Sequence, residues 1–333
     1  MTYSLDDIRR WTTETLISSK VRADNAASVA EALVAAEASG QGGHGLRRIP
    51  AYTAQARAGK VDGFATPMAE TVRPGVLRID AGLGFAYPAL DLAVSKLPAM
   101  AREYGIAAAS IFRSHHAGVM GLTVERLADQ GLVALMVAHA PACMAPWGGR
   151  KPVFGTNPVA FAAPVIGEEP MVIDLALSKV ARGKVMAARQ KGEAIPDDWA
   201  LDIDGQPTTD AARAMAGTMM PLGGAKGAAL ALMVETMATA MTGANFSTEA
   251  SSLFDDKGPA PALGQMLIVI DPEATGGVRA LARIAALART IEDEPGARLP
   301  GRRGQGLRAK ALKEGIEIAP EVLAMIRPET AQA

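Results

Sequence analysis

The sequence predicts a mixed α/β protein in which an α/β domain is inserted into a helical domain formed by both ends of the chain. Residues 1–73 carry helical patterns, residues 74–275 alternate short β-like runs with helical segments, and residues 276–333 become helical again. A chain of 333 residues is long enough for two domains. We therefore assign residues 1–73 and 276–333 to the helical domain and residues 74–275 to the α/β domain.

Helical patterns dominate the first seventy residues. The run after Asp24 consists of strong helix formers with apolar residues at helical spacing, and it stops at Gly40. A second helix is predicted after Pro50 and stops at Gly59, because glycine commonly terminates helices.

Short β-like runs begin after the turn at residues 73–75 (Arg-Pro-Gly) and alternate with helices. The predicted strands are Val76–Asp80, Ile106–Phe112, Leu132–Ala138, Val159–Ala162, Met171–Asp174 and Met266–Ile270. The predicted helices are Leu90–Tyr104, Leu122–Gln130, Ala228–Met241, Val278–Ile291, Gly306–Glu314 and Glu321–Ile326. Met233, Met237 and Met241 repeat every four residues, so we expect them to fill the core.

Composition and charge exclude several classes of protein. Lys and Arg number 34 and Asp and Glu 35, and no basic segment stands out, so nucleic acids and anionic membranes are not expected partners. One thiol, Cys143, excludes an internal disulfide, and with four histidines it disfavours a zinc cage. Residues 1–20 lack an apolar signal segment, and no apolar run has the length of a membrane span. We therefore expect a cytoplasmic protein without a metal site.

Residues 40–45 (Gly-Gln-Gly-Gly-His-Gly) match the G-x-G-x-x-G pattern of dinucleotide-binding loops. That pattern requires a strand before the glycines and a helix that opens at them. Here an Ala-rich helix precedes the glycines, so we reject a Rossmann fold. We interpret the glycines as a tight loop that holds His44 at the edge of a cleft.

His44 and Arg48 are four residues apart, which places both side chains on one face if the chain is helical there. Reduction of a 2-oxo or 2-imino acid needs a proton donor for the carbonyl oxygen or imine nitrogen and a cation for the carboxylate. Imidazole and guanidinium can supply these two functions. The alternative is a histidine that caps a helix and a solvated arginine.

Four further segments carry residues suited to a ligand. Residues 114–118 (Ser-His-His-Ala-Gly) follow an apolar strand, although the same residues can simply cap the next helix. Residues 146–158 combine turn formers with two cations that could meet an anion, but a long structural turn is the favoured interpretation. Residues 221–227 place glycines and a lysine before a helix, as phosphate-binding loops do. Three arginines at residues 298–303 suit a cofactor phosphate or solvent.

Four motifs occur in a specific order along the chain. They are Gly-His-Gly-x-x-Arg-x-Pro at 43–50, Ser-His-His at 114–116, Trp-Gly-Gly-Arg-Lys-Pro with Gly-Thr-Asn-Pro at 147–158, and Gly-Gly-x-Lys-Gly at 223–227. Together they resemble the malate/L-lactate dehydrogenase family of NAD(P)-dependent oxidoreductases, typified by L-sulfolactate dehydrogenase. The family also contains ureidoglycolate dehydrogenase, diketogulonate reductase and the Δ1-piperideine-2-carboxylate/Δ1-pyrroline-2-carboxylate reductases. The resemblance extends from about Leu5 to Pro328.

The resemblance implies a fold, an assembly and a set of site residues. The implied fold is the non-Rossmann, L-sulfolactate dehydrogenase-like fold, with residues 74–275 as the cofactor-binding domain, and the implied assembly is a homodimer with active sites near the subunit interface. By resemblance, His44 is the proton donor or acceptor and Arg48 binds the substrate carboxylate. The implied cofactor-binding residues are His116, Ala117, Gly118, Val119, Met120, Asp174, Leu175, Ala176, Arg182, Gly183, Lys226, Arg298, Arg302 and Arg303.

The chain departs from the resembled imine reductases at three positions. Gly43 replaces a serine, Lys184 stands where an aspartate would complete a Ser-His-Asp relay, and Ala142 replaces a threonine substrate contact. These changes weaken the transfer of cyclic-imine activity but leave the proton donor in place. Arg47, next to the expected carboxylate ligand, suggests a substrate with a second anionic group, such as malate or sulfolactate.

We therefore expect an oxidoreductase that interconverts a small 2-hydroxy acid, of the malate, lactate or sulfolactate type, and its 2-oxo acid. The expected cofactor is NAD or NADP, and Arg302 and Arg303 favour NADP because they can meet a 2′-phosphate. Two alternatives stay open, namely reduction of a cyclic 2-imino acid and an inactive nucleotide-binding homologue. The expected partners are a small anionic substrate and a second copy of the chain.

Overall fold

The computed structural model describes residues 2–327, so the parts of the domain prediction on residue 1 and on residues 328–333 lie outside the described residues. The strands are β1 (Thr2–Tyr3), β2 (Met68–Arg73), β3 (Val76–Asp80), β4 (Ile106–Ser114), β5 (Val133–Ala138), β6 (Val159–Ala163), β7 (Met171–Leu175), β8 (Ala200–Leu201), β9 (Thr218–Met219), β10 (Leu263–Ile270) and β11 (Ile316–Glu317). The helices are α1 (Leu5–Ile17), α2 (Ala23–Ala38), α3 (Ile49–Ala58), α4 (Ala86–Tyr104), α5 (Met120–Ala128), α6 (Arg182–Lys191), α7 (Ala211–Ala216), α8 (Ala225–Glu235), α9 (Pro272–Gly276), α10 (Ala280–Glu292), α11 (Arg302–Glu314) and α12 (Pro320–Ile326). Short 3₁₀ helices at Leu46–Arg48 and Gly277–Arg279 and a π-helical turn at Thr236–Ala240 complete the set.

A seven-stranded mixed sheet forms the centre of the fold, in the order β2-β3-β4-β10-β5-β6-β7. Strands β3 and β4 pair in parallel, and every other neighbouring pair in this sheet is antiparallel. The carboxyl ends of β3, β4, β5 and β7 therefore lie at the same edge of the sheet. The mixed α/β class is confirmed, and the sheet differs from the parallel, doubly wound sheet of a Rossmann domain.

The predicted strands and helices are all present, although their ends shift by a few residues. The helical patterns of residues 1–73 conceal strand β2, which pairs with β3 at the edge of the main sheet. Its side chains are exposed or half-buried, so β2 lacks the buried apolar positions that reveal a central strand. Helices α6 and α7 are also additional to the predicted elements.

Three large apolar cores occur in the described residues, and two of them bear on the division into domains. One packs α4 and α5 against the main sheet, around residues such as Leu97, Ile111 and Leu267. The other joins the amino-terminal helices to the end of the chain, because Ile318 and Val322 pack with the residues of α1–α3. Strand β1 also pairs with β11. Helix α10 packs elsewhere, in a small cluster with the loop after β6.

Helix α8 and the π-helical turn that follows it present apolar side chains to solvent. Met233 is 43% exposed and Met241 61% exposed, so the expectation that they fill the core is wrong. Helical spacing shows that the three methionines share one side of the helix, but it does not show which of them the core covers. Met237 does pack against the core, as expected. In residues 2–327 no helix is both long enough and apolar enough to cross a bilayer.

Candidate active site

The glycine-rich loop that carries His44 follows the end of α2 and is held by a carboxylate of that helix. Glu37 Oε2 accepts the backbone N–H of Leu46 at 2.9 Å. A Cβ at Gly45 would collide with the same carboxylate, which explains the need for glycine there. Since the loop follows a helix instead of a strand, the rejection of a dinucleotide fingerprint is confirmed.

His44, Arg48 and His116 meet in one cluster. His44 Nδ1 lies 3.2 Å from His116 Nε2, and Arg48 Nη2 donates to the same nitrogen at 3.3 Å. His116 follows β4 at the edge of the sheet, whereas His44 and Arg48 belong to the turn before α3. The structure therefore brings together residues that are about seventy positions apart in the chain.

Two tyrosines extend this cluster into the core. Tyr52 Oη lies 2.7 Å from His116 Nδ1 and 3.2 Å from Tyr87 Oη. Sequence reasoning missed both tyrosines. Tyr52 was detectable, because it lies four residues after Arg48 and therefore on the same helical face. Tyr87 lies on α4, and no local pattern connects it to the site.

Arg48 is a buried cation without a counter-ion. It is 8% exposed, it has no ion pair with a carboxylate of residues 2–327, and its Nε has no hydrogen-bond partner there. Its charge reaches its neighbours: burial and the Arg48 guanidinium lower the pKa of His44 to about 4, and lower the pKa of His116 well below its usual value. Both imidazoles are therefore neutral near pH 7 when no anion is bound.

One face of the Arg48 guanidinium is covered by Phe254, whose ring centroid lies 5.0 Å from Cζ. The loop of Phe254 is held by a buried lysine, since Lys60 Nζ donates to the carbonyls of Ser252, Asp255 and Lys257 at 2.7–3.0 Å. Sequence reasoning missed this loop, because its contacts with Lys60 span almost two hundred residues. The arrangement places an apolar ring beside a cation that faces the cleft.

A cavity of about 390 Å³ lies next to the His44 loop, and its lining includes Gly40, Gln41 and Val119. Asp174, at the end of β7, accepts the backbone N–H of Gly121 at 2.8 Å on one side of this cavity. The side chain is accessible, but the protein atoms around its carboxylate raise the pKa of Asp174 to about 6. The cavity therefore lies between the end of β7, the segment that follows β4 and the loop of His44.

The arginines near this cavity are of two kinds. Arg298 and Arg303 line it and pair with no carboxylate of the described chain. Arg302 instead binds Glu168 and Glu292 through its guanidinium and does not line the cavity. To meet a cofactor phosphate, the Arg302 side chain would have to exchange two carboxylates for it.

The remaining predicted cofactor residues lie in three places. The segment from Ala117 to Met120 connects β4 to α5, and Leu175 ends β7 with Ala176 directly after it, so both groups lie at the edge that carries the cluster. Arg182 and Gly183 begin α6, and Lys226 is exposed in the first turn of α8. No contact recorded for the described residues joins α6 or Lys226 to His44.

The sequence departures at Gly43 and Lys184 leave His44 without relay partners at these two positions. A Cβ at Gly43 would meet no atom within 4 Å, and Lys184 is exposed on α6. Arg47 is exposed, and its Nη2 lies 3.5 Å from Glu321 Oε1. In residues 2–327, no group of three or more His, Cys, Asp or Glu side chains is arranged to hold a metal ion.

Comparisons with known proteins match one family model and several enzymes along most of the chain. The family model described as malate/L-lactate dehydrogenase matches residues 3–327. The chain is 49% identical to the (2R)-3-sulfolactate dehydrogenase (NADP(+)) of Chromohalobacter salexigens, over 90% of this chain and 89% of that protein. It is 41% identical to a Δ1-pyrroline-2-carboxylate/Δ1-piperideine-2-carboxylate reductase of Pseudomonas putida, over 86% and 85%. The crystal structure of the Δ1-piperideine-2-carboxylate reductase of Pseudomonas syringae superimposes with a TM-score of 0.93 at 39% identity, over 98% and 99%.

Proposed function

The chain belongs to the malate/L-lactate dehydrogenase family, and we infer that it is an NAD(P)-dependent oxidoreductase that interconverts a small 2-hydroxy acid and its 2-oxo acid. The relative with 49% identity is named as a dehydrogenase of such an acid, sulfolactate, with NADP. In this proposal His44 carries the proton and Arg48 binds the carboxylate of the substrate.

The observation that carries the proposal is the buried, uncompensated guanidinium of Arg48 next to His44. Removing a cation from water is costly unless an anion is near, so a site of this kind is complete only when an anion binds. A carboxylate can accept two parallel N–H groups of a guanidinium, which also fixes the orientation of the rest of the substrate. The 2-oxo or 2-hydroxy group then lies within reach of the imidazole.

The residues of the cluster can perform the protein's part of the reaction. The nicotinamide cofactor supplies or accepts the hydride. His44 donates a proton to the oxygen of the 2-oxo acid during reduction and accepts it during oxidation. Bound carboxylate offsets the charge of Arg48, so it favours the protonated form of His44. Phe254 and the buried tyrosines limit access of water to this proton.

The cavity beside the His44 loop fits an anionic dinucleotide. Arg298 and Arg303 supply cations without counter-ions, and Gly301 lines the cavity at the start of α11, where helix N–H groups favour phosphate. We propose that the cofactor-binding residues expected from the sequence act here, with Arg303 favouring NADP through its charge. Arg302 would contribute its backbone, because its guanidinium already binds two carboxylates.

The proposal is tested by the absorbance of reduced nicotinamide with NADH and NADPH in parallel. The panel is pyruvate, oxaloacetate, sulfopyruvate, diketogulonate and the two cyclic imines. We expect turnover of a 2-oxo acid, and a loss of about 10²–10⁴-fold in kcat for His44→Ala, the usual contribution of a general acid. Cofactor binding by His44→Ala is the control for folding. Absence of turnover by the wild-type protein across the panel would contradict the proposal.

The second candidate is reduction of a cyclic 2-imino acid. It is supported by the 41% identity to the reductase of P. putida and by the structural similarity to the reductase of P. syringae. A C=N bond has the same shape as C=O, so the His44 and Arg48 pair suits either. Gly43 and Lys184, however, lack the hydroxyl and carboxylate expected of that relay. A higher kcat/KM for pyrroline-2-carboxylate than for every 2-oxo acid would favour this candidate.

A role for Arg47 in binding a second anionic group is a further part of the proposal. Arg47 pairs with Glu321 in the structure, so it must exchange one carboxylate for another. We expect Arg47→Ala to raise KM for oxaloacetate about tenfold and to leave KM for pyruvate unchanged. Glu321→Ala is the matched variant, because it frees Arg47 and should lower KM for oxaloacetate. Equal effects on both substrates would contradict the role.

We also propose a homodimer, the two-domain division at residues 73/74 and 275/276, and a location in the cytoplasm. The exposed apolar side chains of Met233 and Met241 support the dimer, because exposed apolar patches often mark a surface that packs against another chain. The packing of Ile318 on the amino-terminal helices supports a helical domain built from both ends. Use of the reduced nicotinamide pool supports the cytoplasm. Sedimentation of the wild-type protein and of Met233→Lys tests the dimer.

A further inference from the structure

We propose that His116 is a positioning residue that fixes the tautomer and the ring orientation of His44, in place of the serine and aspartate relay that this chain lacks. The inference rests on the proposed role of His44 as the proton carrier. It assigns to the imidazole of His116 a task separate from the cofactor contact that the resemblance implies for this segment. Three contacts carry it, and all three join at the ring of His116.

The first contact fixes the tautomer of His116. A guanidinium has only N–H donors and stays charged, so the nitrogen that faces Arg48 Nη2 at 3.3 Å must offer a lone pair. Nε2 of His116 is therefore unprotonated, and in the neutral ring the proton resides on Nδ1. The Nδ1–H group has its acceptor in place, since Tyr52 Oη lies 2.7 Å away. Tyr52 in turn can donate to Tyr87 Oη at 3.2 Å.

The second contact, between His116 and His44, fixes the tautomer of His44. The same His116 Nε2 lies 3.2 Å from His44 Nδ1, and two unprotonated nitrogens at this distance would repel each other, so His44 carries its proton on Nδ1 and shares the lone pair of Nε2 with Arg48. The ring centroids are 5.2 Å apart and the planes differ by 17°, which together with the short N–N distance places the rings edge to edge. That is the arrangement of an N–H···N hydrogen bond. Nε2 of His44 remains free for the substrate.

No other group in residues 2–327 shares this task. Gly43 has no side chain, Lys184 is exposed on α6, and the structure records no hydrogen bond from another residue to the His44 ring. Without His116, the ring could rotate about its side-chain bonds and place its proton on either nitrogen. A histidine in the wrong tautomer cannot accept a proton at Nε2, and an incorrect tautomer in a catalytic triad costs about 10⁴-fold in kcat.

The chain contains four histidines, so their tautomers can be read directly by long-range ¹⁵N–¹H correlation spectra of histidine-labelled protein. Single substitutions assign each signal. We expect both His44 and His116 to be neutral Nδ1–H tautomers at pH 7. Detection of His44 as the Nε2–H tautomer in the wild-type protein would overturn the inference. This measurement needs no substrate, so it decides the inference even if the proposed function fails.

A matched pair of variants tests the consequence for catalysis. His116→Gln places an amide oxygen near the position of Nε2, so it retains an acceptor for His44 and Arg48. His116→Asn places the amide near Nδ1, so it retains the contact with Tyr52 but loses that acceptor. With the best acid of the panel, we expect kcat of His116→Gln within about tenfold of wild type and kcat of His116→Asn reduced about 10²–10³-fold, with His44 no longer held as Nδ1–H. Equal losses in the two variants, with the His44 tautomer unchanged in both, would overturn the inference.

Discussion

Two regions of this molecule use arginine in opposite ways. In the His44 cluster, Arg48 is 8% exposed and has no carboxylate partner among residues 2–327. Beside the cavity next to the His44 loop, the Arg302 side chain is 22% exposed, and its guanidinium binds Glu168, Glu292 and a backbone carbonyl. The two side chains have the same chemistry, but Arg48 is the more buried of the two and is the one whose charge the protein leaves without a counter-ion.

This difference in charge pairing indicates which of the two sites is completed by a bound ligand. A buried guanidinium that is fully paired holds the fold together, because its hydrogen bonds and its charge are already satisfied. A buried guanidinium without a counter-ion stays costly until an anion arrives. Arg298 and Arg303 form an intermediate case, since they are unpaired but exposed to water, which screens their charge.

The largest expected effects come from two single variants, in which Arg48 or Arg302 is replaced by glutamine. Arg48→Gln should lower kcat/KM for a 2-oxo acid about 10³-fold, because hydrogen bonds to charged groups contribute about 1.5–3 kcal/mol each and two are lost. It should not lower the free energy of unfolding, since an uncompensated charge disappears. Arg302→Gln should lower the free energy of unfolding by about 1 kcal/mol, a value suited to partly exposed ion pairs.

Urea unfolding and steady-state kinetics on both variants measure these quantities. A loss of stability in Arg48→Gln larger than in Arg302→Gln would break the comparison. So would a loss of kcat/KM of similar size in the two variants, because Arg302 would then also be a ligand for substrate or cofactor.

The second prediction concerns acid. Burial lowers the pKa of His115 and of His139 to about 3, and of His44 to about 4, below the unfolded value near 6.5. These histidines are neutral in the folded protein, so their contribution is complete above pH 6.5 and is lost as pH falls below that value. Each lowers the free energy of unfolding by about 1.4 kcal/mol per pH unit between pH 6 and pH 5. Asp174 acts in the opposite direction, because its pKa is raised to about 6.

Thermal or urea unfolding between pH 7 and pH 5 tests this prediction. Stability should decrease, since several histidines outweigh one aspartate, and His139→Gln should make the decrease less steep. An anion that binds Arg48 should offset the charge of the guanidinium. It should therefore restore part of the free energy of unfolding at the pH where His44 becomes protonated. A stability that is constant over this range would contradict the burial of these imidazoles.

The smallest expected effect sharpens the assignment of the exposed arginines. Arg303→Ala should raise KM for NADPH about tenfold and leave KM for NADH within twofold, since only NADPH carries a 2′-phosphate. Arg283→Ala, on the solvent side of α10, is the control and should change neither. Equal changes in both KM values would show that Arg303 does not discriminate between the cofactors.

Much of the fold was predictable because its central strands are apolar and several of its helices end at glycine. The central strands gave runs of buried residues, and Gly59 ends α3 with a φ of +78°. Strand β2 was not predictable, because an exposed edge strand shows no buried alternation. The exposure of Met233 was not predictable either, since helical spacing shows which residues share a face but not what that face contacts.

The candidate site was predictable only where its residues are neighbours in sequence. His44 and Arg48 share one turn, so their spacing indicated a joint role. The contact between His44 and His116 depends on the sheet, which brings the end of β4 to the glycine-rich loop. The hydrogen bonds from Lys60 to the loop of Phe254 likewise depend on tertiary packing. Arg302 pairs with Glu168 and Glu292, and nothing in the sequence next to Arg302 indicates these partners.

The central claim is that Arg48 binds the carboxylate of the substrate and that His44 takes up a proton when this carboxylate binds. Calorimetric titration with oxamate, an unreactive analogue of a 2-oxo acid, tests it directly when done with bound NADPH in buffers of different ionisation enthalpy. We predict that wild-type protein binds oxamate with proton uptake near pH 6, that His44→Ala binds without uptake, and that Arg48→Gln binds at least 10²-fold more weakly. Equal affinity in the wild type and in Arg48→Gln, or uptake that persists in His44→Ala, would contradict the claim.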